Sequence, residues 1–221
     1  MCGRFVRTSS RDVIAERFGV TRFVNVDLRP RYNIAPSQSV EAIIRDGTET
    51  CLGPMRWGFS PSSAKGSTFA PINARAETVA TTPLFREAFR HRRCVIVADG
   101  FYEWRKDRER KTPYFIHLRS GDPFGFAGIW CLQRAAEGTP IVTCAILTCA
   151  ANELMAPIHN RMPVILPTGA VERWLEPSAD PVDLRALLSP LPSGELEAYA
   201  VSTFVNSPRN DSPECVRRVG G

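Results

Sequence analysis

The chain has 221 residues, 43% of them hydrophobic and 23% charged, which places it in the range of a soluble domain that buries a full core. No apolar run reaches bilayer length, and the first twenty residues lack the apolar stretch of a secretory signal, so the sequence predicts a cytoplasmic protein with no membrane contact. Twenty-eight basic against 23 acidic residues leave a net charge of +5, a mild bias toward polyanions, and the seven cysteines form an odd set without a C-x-x-C pair, which indicates neither a disulfide framework nor zinc.

A short strand is expected from Cys2 to Val6, then a helix from about Ser10 to Phe18, with Ser9 and Asp12 patterned as a capping box and Gly19 as its stop. The polar loop RPRYNIAPSQ leads into SVEAIIRDGTETCLGPMRW, where Asp46-Gly47 between two β-prone runs predicts a hairpin, and the Ser/Gly-rich SPSSAKGSTFAP follows as a loop. Thr82-Pro83 opens a helix carrying Leu84, Phe85, Ala88 and Phe89 on one side. CVIVADGFYEW reads as two strand segments bent at Asp99-Gly100, which leaves Glu103 just past a turn. Further strands are expected in PYFIHLRS, FGFAGIWCL and IVTCAILTC, and helices in ANELMAP, VERWLE and the Asp180-capped PVDLRALL. Strands outnumber helices and do not alternate with them. The expected fold is therefore α+β: a single domain over residues 1–221 with a largely antiparallel, barrel-like β-sheet flanked by short helices, ending in a partly irregular segment over 204–221.

Removal of Met1 would leave Cys2 with an α-amine and a thiol two carbons apart. That 1,2-aminothiol reacts with an aldehyde: the amine forms an imine and the thiol closes a five-membered thiazolidine. Glu103, flanked by Phe101, Tyr102 and Trp104, is either an acid in an apolar setting or a surface partner of Arg105. His159 in APIHNRMP stands between a helical run and a strand, where it is a proton-transfer group or a structural histidine; it is favoured over His91 and His117. Asn73 and Arg75 in PINARAE could orient a carbonyl and hold a phosphate, or form a turn and an ion pair. Nothing in the sequence calls for a metal or an organic cofactor.

Taken together, MCGRF at the start, RYNIAP at Arg31 to Pro36, NARAET from Asn73, ADGFYEW at Ala98 to Trp104 and IHNRMPVIL from Ile158 resemble the SOS response-associated peptidase (SRAP) family, in the family's order and over nearly the whole chain. VSTFVNSP near the end resembles that family's closing strand and loop. The resemblance implies a monomeric DNA-protein crosslinking enzyme whose partner is single-stranded DNA containing abasic sites, captured through Cys2. It implies further that Asn73 orients the reacting sugar, Glu103 is the acid that assists ring opening, and His159 handles protons during imine formation and reversal. By the same resemblance Arg4, Arg75 and Arg161 match positions that contact the phosphate backbone, and Asn33, Pro36, Trp104 and Thr148 match positions around the pocket. One departure concerns strand junctions: where relatives carry a tryptophan a few residues after the W-G-aromatic element, Trp57-Gly58-Phe59 here runs into Ser60-Pro61-Ser62-Ser63, with Phe69 as a substitute aromatic. A second function uses the same residues, a cysteine peptidase acting on itself with Cys2 as nucleophile and His159 as base; a third, a catalytically silent single-strand binding module, uses only the basic groove.

Overall fold

A computed structural model describes residues 2–61, 70–107, 110–133, 140–167 and 169–219. In chain order these form β1 (Phe5–Arg7), α1 (Arg11–Phe18), β2 (Arg22–Phe23), β3 (Arg31–Ile34), β4 (Ser39–Asp46), β5 (Glu49–Trp57), β6 (Asn73–Arg75), α2 (Arg86–His91), β7 (Arg93–Ala98), β8 (Gly100–Asp107), β9 (Arg110–Leu118), β10 (Phe124–Gln133), β11 (Ile141–Ala150), β12 (Arg161–Pro163), β13 (Ile165–Leu166), α3 (Ala170–Leu175), α4 (Pro181–Ala186) and β14 (Leu196–Ala200). Short 3-10 turns follow at Thr203–Asn206 and Pro213–Val216. The fold is a single α+β domain, as the sequence predicts. No helix among the described residues is long and apolar enough to cross a membrane.

Five strands close on themselves. β5 pairs with β4, β4 with β7, β7 with β10 and β10 with β11, all antiparallel, and β11 returns to β5 in parallel, with Thr143 opposite Arg56 and Cys144 opposite Trp57. Closure removes the free edges that an open sheet would present. Every residue of β7 is buried, which accounts for the continuous apolar run CVIVA that follows Arg93. A second sheet, in the order β14-β9-β8-β1-β3, packs its own cluster of Val6, Tyr102, Phe115, Val201, Val205 and Cys215 on its far side. The near side meets the ring through Phe5, whose ring lies edge-on to Trp57 at 5.3 Å and to Phe126 at 5.7 Å.

The turn chemistry sets the joints. Gly47, at φ 59°, turns β4 into β5 where the Asp46-Gly47 pair predicts it, and Gly19 at φ 62° ends α1 with its N–H on the Ala15 carbonyl. The cap at the other end of α1 is Ser10, not Ser9: the Ser10 hydroxyl accepts from the Val13 N–H, while the Ser9 hydroxyl donates to Asp99 instead. Three further expectations are corrected. The helix expected from Thr82-Pro83 begins at Arg86, after a run of turns, and Leu84 is exposed. ANELMAP forms turns, capped by Asn152 Oδ1 accepting from the Met155 N–H at 2.9 Å, because Pro157 has no N–H to continue a helix. VSTFVNSP is not a strand: Val201 makes a lone bridge to Arg218 and the chain then coils into a 3-10 turn.

Gly100, the first residue of β8, admits no side chain: a Cβ there would lie 2.3 Å from the Phe115 ring and 2.9 Å from the Ile116 carbonyl oxygen. Gly100→Ala is expected to lower the stability measured by denaturant unfolding by about 1–3 kcal/mol, the usual cost of overpacking. An unchanged midpoint would show that Phe115 has room to move.

Candidate active site around Cys2

Cys2 precedes β1 and is fully buried in the unprocessed chain. Asn73, on β6, donates from Nδ2 to the Cys2 carbonyl oxygen at 3.0 Å, while its Oδ1 is buried and accepts no hydrogen bond among the described residues. β6 owes its place to parallel pairing with β11, which sets Asn73 opposite Ile146 and Arg75 opposite Thr148. Asn73 and Arg75 thus point to one face of a strand, two residues apart.

Glu103 comes from the other sheet. On β8, Phe101 faces the main core and Tyr102 the far cluster, so Glu103 returns to the side of Phe101, with only 3% of its surface exposed. Its charge reaches Cys2: burial pushes the Cys2 thiol well above its ordinary range, and the nearby Glu103 carboxylate pushes it further the same way. Arg105, which the sequence left as a surface partner for Glu103, lies with its guanidinium over the Tyr114 ring at 5.0 Å.

His159 is oriented by its neighbour. Its Nδ1 lies 2.9 Å from the Arg161 N–H and 3.2 Å from the Arg161 carbonyl oxygen. In the neutral ring Nδ1 accepts from the nearer N–H, which puts the proton on Nε2; in the charged ring the same atom has a carbonyl to donate to. The Arg161 guanidinium donates to both Glu77 carboxylate oxygens and to the carbonyl and hydroxyl of Thr148.

Arg4, Asn33 and Trp104 meet around the C-terminal segment. Arg4 donates from Nη1 to Asn33 Oδ1 and to the Val205 carbonyl, both at 2.8 Å, and from Nη2 to the Asn206 carbonyl at 3.1 Å. Asn33, 1% exposed, lies with Nδ2 within reach of the carbonyls of Val205, Ser207 and Asn210 at 2.7–3.1 Å. The Trp104 indole N–H donates to Asn206 Oδ1 at 2.8 Å. Pro36 is exposed in a tight turn closed by the Gln38 N–H on the Ala35 carbonyl, with Ser37 at φ 71° where a glycine is usual. Phe69 and the residues 62–69 around it lie outside the described residues, as does Met1.

Sequence reasoning did not find Glu77, although it lies inside the quoted NARAET run, nor Asp99, Asn206 and Asp211. Asp99 accepts the Thr8 N–H at 2.6 Å and the Ser9 N–H at 3.0 Å, fixing the chain where it leaves β1; Asp211 accepts the Asn33 N–H at 3.1 Å. Among the described residues no group of three or more His, Cys, Asp and Glu side chains is placed to hold a metal ion.

Asn33→Ala would strand buried carbonyls of the C-terminal segment and one face of Arg4. A loss of about 1–3 kcal/mol is expected in denaturant unfolding, from the desolvation cost of unmade buried hydrogen bonds, with faster amide exchange at residues 205–210 than elsewhere. Uniform exchange across the chain would show that Asn33 does not hold that segment.

Known proteins resemble this chain over nearly its whole length. Residues 1–208 match the family described as SOS response associated peptidase (SRAP). The chain is 45% identical over 221 residues to the abasic site processing protein YoqW of Bacillus subtilis, covering 98% of this chain and 99% of that one. It is 31% identical to the abasic site processing protein YedK of Escherichia coli, covering 99% of this chain and all of YedK. A crystal structure of a Bacteroides thetaiotaomicron protein superposes with a TM-score of 0.88 at 26% identity, over 99% of this chain and all of that one. The chain belongs to the SRAP family.

Proposed function

We propose that this protein processes abasic sites in DNA, as the names of its relatives say of them, by covalent capture: the Cys2 aminothiol, freed by loss of Met1, traps the ring-opened sugar of an abasic site in single-stranded DNA as a thiazolidine. The observation that carries this reading is the convergence on one N-terminal residue of an amide from the ring, Asn73, and a carboxylate from the second sheet, Glu103.

The chemistry balances as a condensation. The sugar ring opens to the aldehyde, with Glu103 as the acid that assists. The α-amine adds to the aldehyde carbon, water leaves to give the imine, the thiol sulfur adds to the same carbon, and its proton passes to nitrogen. An unperturbed α-amine titrates at about 7.7–8.0, so part of it is nucleophilic near neutral pH. Burial pushes the Cys2 thiol upward in the unprocessed chain; in the processed chain the amine adds first and the sulfur second. Asn73 Oδ1 offers its open acceptor to a sugar hydroxyl, and His159, with a partner for its Nδ1 in either charge state, carries protons during imine formation and reversal. Because the Cys2 nitrogen is an amide while Met1 precedes it, and an amide does not form an imine, the reading requires Met1 removal.

Intact-mass analysis tests both steps. After exposure to an abasic single-stranded oligonucleotide, the expected product is the chain without Met1 plus the oligonucleotide less one water, stable to denaturant without added reductant. Strand binding with no adduct would leave a non-catalytic binding module. Cys2→Ser should give only an imine that borohydride traps, and a permanent adduct from that variant would remove the ring-closing step. Glu103→Gln is expected to slow capture on the order of a hundredfold, the lower range for a lost general acid, with undamaged-strand affinity little changed. Capture at the wild-type rate would take Glu103 out of the mechanism.

A further inference from the structure

We propose that Glu77 is an internal competitor for the DNA backbone: in the free protein its carboxylate occupies the edge of the Arg161 guanidinium that a phosphate of a bound strand takes, and the strand displaces it. The inference rests on the proposed role of Arg75 and Arg161 as backbone contacts and adds to it a residue that sets how tightly undamaged DNA is held.

The geometry has two unequal sides. Toward the protein, Arg161 is pinned: Nη2 donates to the Thr148 carbonyl and lies 3.3 Å from the Thr148 hydroxyl, and the side chain is only 17% exposed. Toward solvent, Nη1 and Nη2 donate to the two Glu77 oxygens, and the Glu77 side chain is 50% exposed. Carboxylate and phosphate match the same guanidinium fork, each through two parallel N–H donors. Arg75, exposed on β6 beside Thr148, adds its charge at the same place. Hydrogen bonds from Arg161, and more weakly the charges of Arg161 and Arg75, hold the Glu77 carboxyl below its ordinary range, so it stands as an anion between two cations. Glu77 lies on the turn after β6 and can swing into water without leaving a buried charge behind, whereas Arg161 keeps its Thr148 contacts when Glu77 departs. Every passing strand must break the Glu77–Arg161 pair to reach this arginine, which lowers affinity for intact DNA. A covalently captured strand does not depend on that affinity.

A double-mutant cycle decides the matter. Equilibrium binding of an undamaged fluorescent oligothymidylate is measured for the processed wild type, Glu77→Gln, Arg161→Ala and the double variant, across a salt series. Glu77→Gln is expected to bind about three- to fivefold more tightly, as for a partly exposed ion pair, with a salt slope little changed, because the strand neutralises the same phosphate on Arg161 once Glu77 is displaced or replaced. Arg161→Ala is expected to weaken the Glu77→Gln protein more than it weakens the wild type, because in the wild type that guanidinium is already occupied. Unchanged affinity in Glu77→Gln, or effects that simply add, would overturn the competition while leaving DNA binding intact. If the wild type binds no single strand, or if Arg161→Ala and Arg75→Ala change binding in neither background, the backbone-contact reading itself fails and takes the competition with it. Thermal midpoints check that each variant is folded, and Glu77→Ser, expected to show the same tightening, replaces Glu77→Gln should the latter misfold.

Discussion

The hydrogen bond from Asn73 to the Cys2 carbonyl ties the N-terminus to the closed ring, and the site depends on it. Cys2 leads into β1, which belongs to one sheet, while Asn73 is held by β11, which belongs to the other. A terminal residue has backbone on one side only and is the part of a chain most prone to fray. Here its carbonyl is bonded from one sheet and its thiol lies near a carboxylate from the other, so the atoms proposed to react sit at a joint between rigid elements. Preorganisation of this kind reduces the entropy lost when two reactants are brought together.

Three arginines, Arg7, Arg93 and Arg4, act as internal fasteners. Arg7, fully buried, pairs with Glu41 at 3.3 Å and donates to the carbonyls of Asp27, Leu28 and Arg29, holding the loop ahead of β3. Arg93 does the same for the carbonyls of Phe89, Arg90, Trp174 and Glu176, stitching α2 and α3 to β7. Arg4 serves residues 205 and 206. A guanidinium suits this work because five donors in a fixed plane reach several carbonyls at once. Among the described residues buried Arg7 and Arg93 are matched in number by buried Glu41 and Glu103, so the net charge of +5 is a diffuse surface bias, and the cations near the site, Arg75 and Arg161, matter individually.

Local chemistry made part of this legible in the sequence. Asp46-Gly47 and Gly19 mark joints because each glycine takes a left-handed backbone conformation that few residues supply, Gly100 because a side chain there would strike Phe115, and Asp180 caps α4 by accepting the Val182 N–H. The strand runs of β7, β10 and β11 were readable because burial on both faces leaves continuous apolar stretches. Cys2, Asn73, Glu103 and His159 were picked from motif blocks, but spacing alone could not place Asn73 against Cys2, 71 residues away. Nor could it give the parallel joint of β5 and β11, which has no local turn to announce it. Asn33 and Trp104 read as pocket residues, whereas their hydrogen bonds go to the C-terminal segment. A long-range side-chain-to-carbonyl bond leaves no periodic trace, since a carbonyl acceptor is offered by every residue type.

That clamp has a consequence for biosynthesis. The partners of Arg4 and Asn33 lie at residues 205–211, so a chain still emerging from the ribosome has made its first strand long before the groups that fasten it exist. Until residues 205–210 have left the ribosome, Arg4 and Asn33 have no partners for these hydrogen bonds. The first strand is therefore fastened last, as the non-local contacts of a β-rich topology form slowly. Order of manufacture, and not only shape, then governs when the front of the chain becomes rigid.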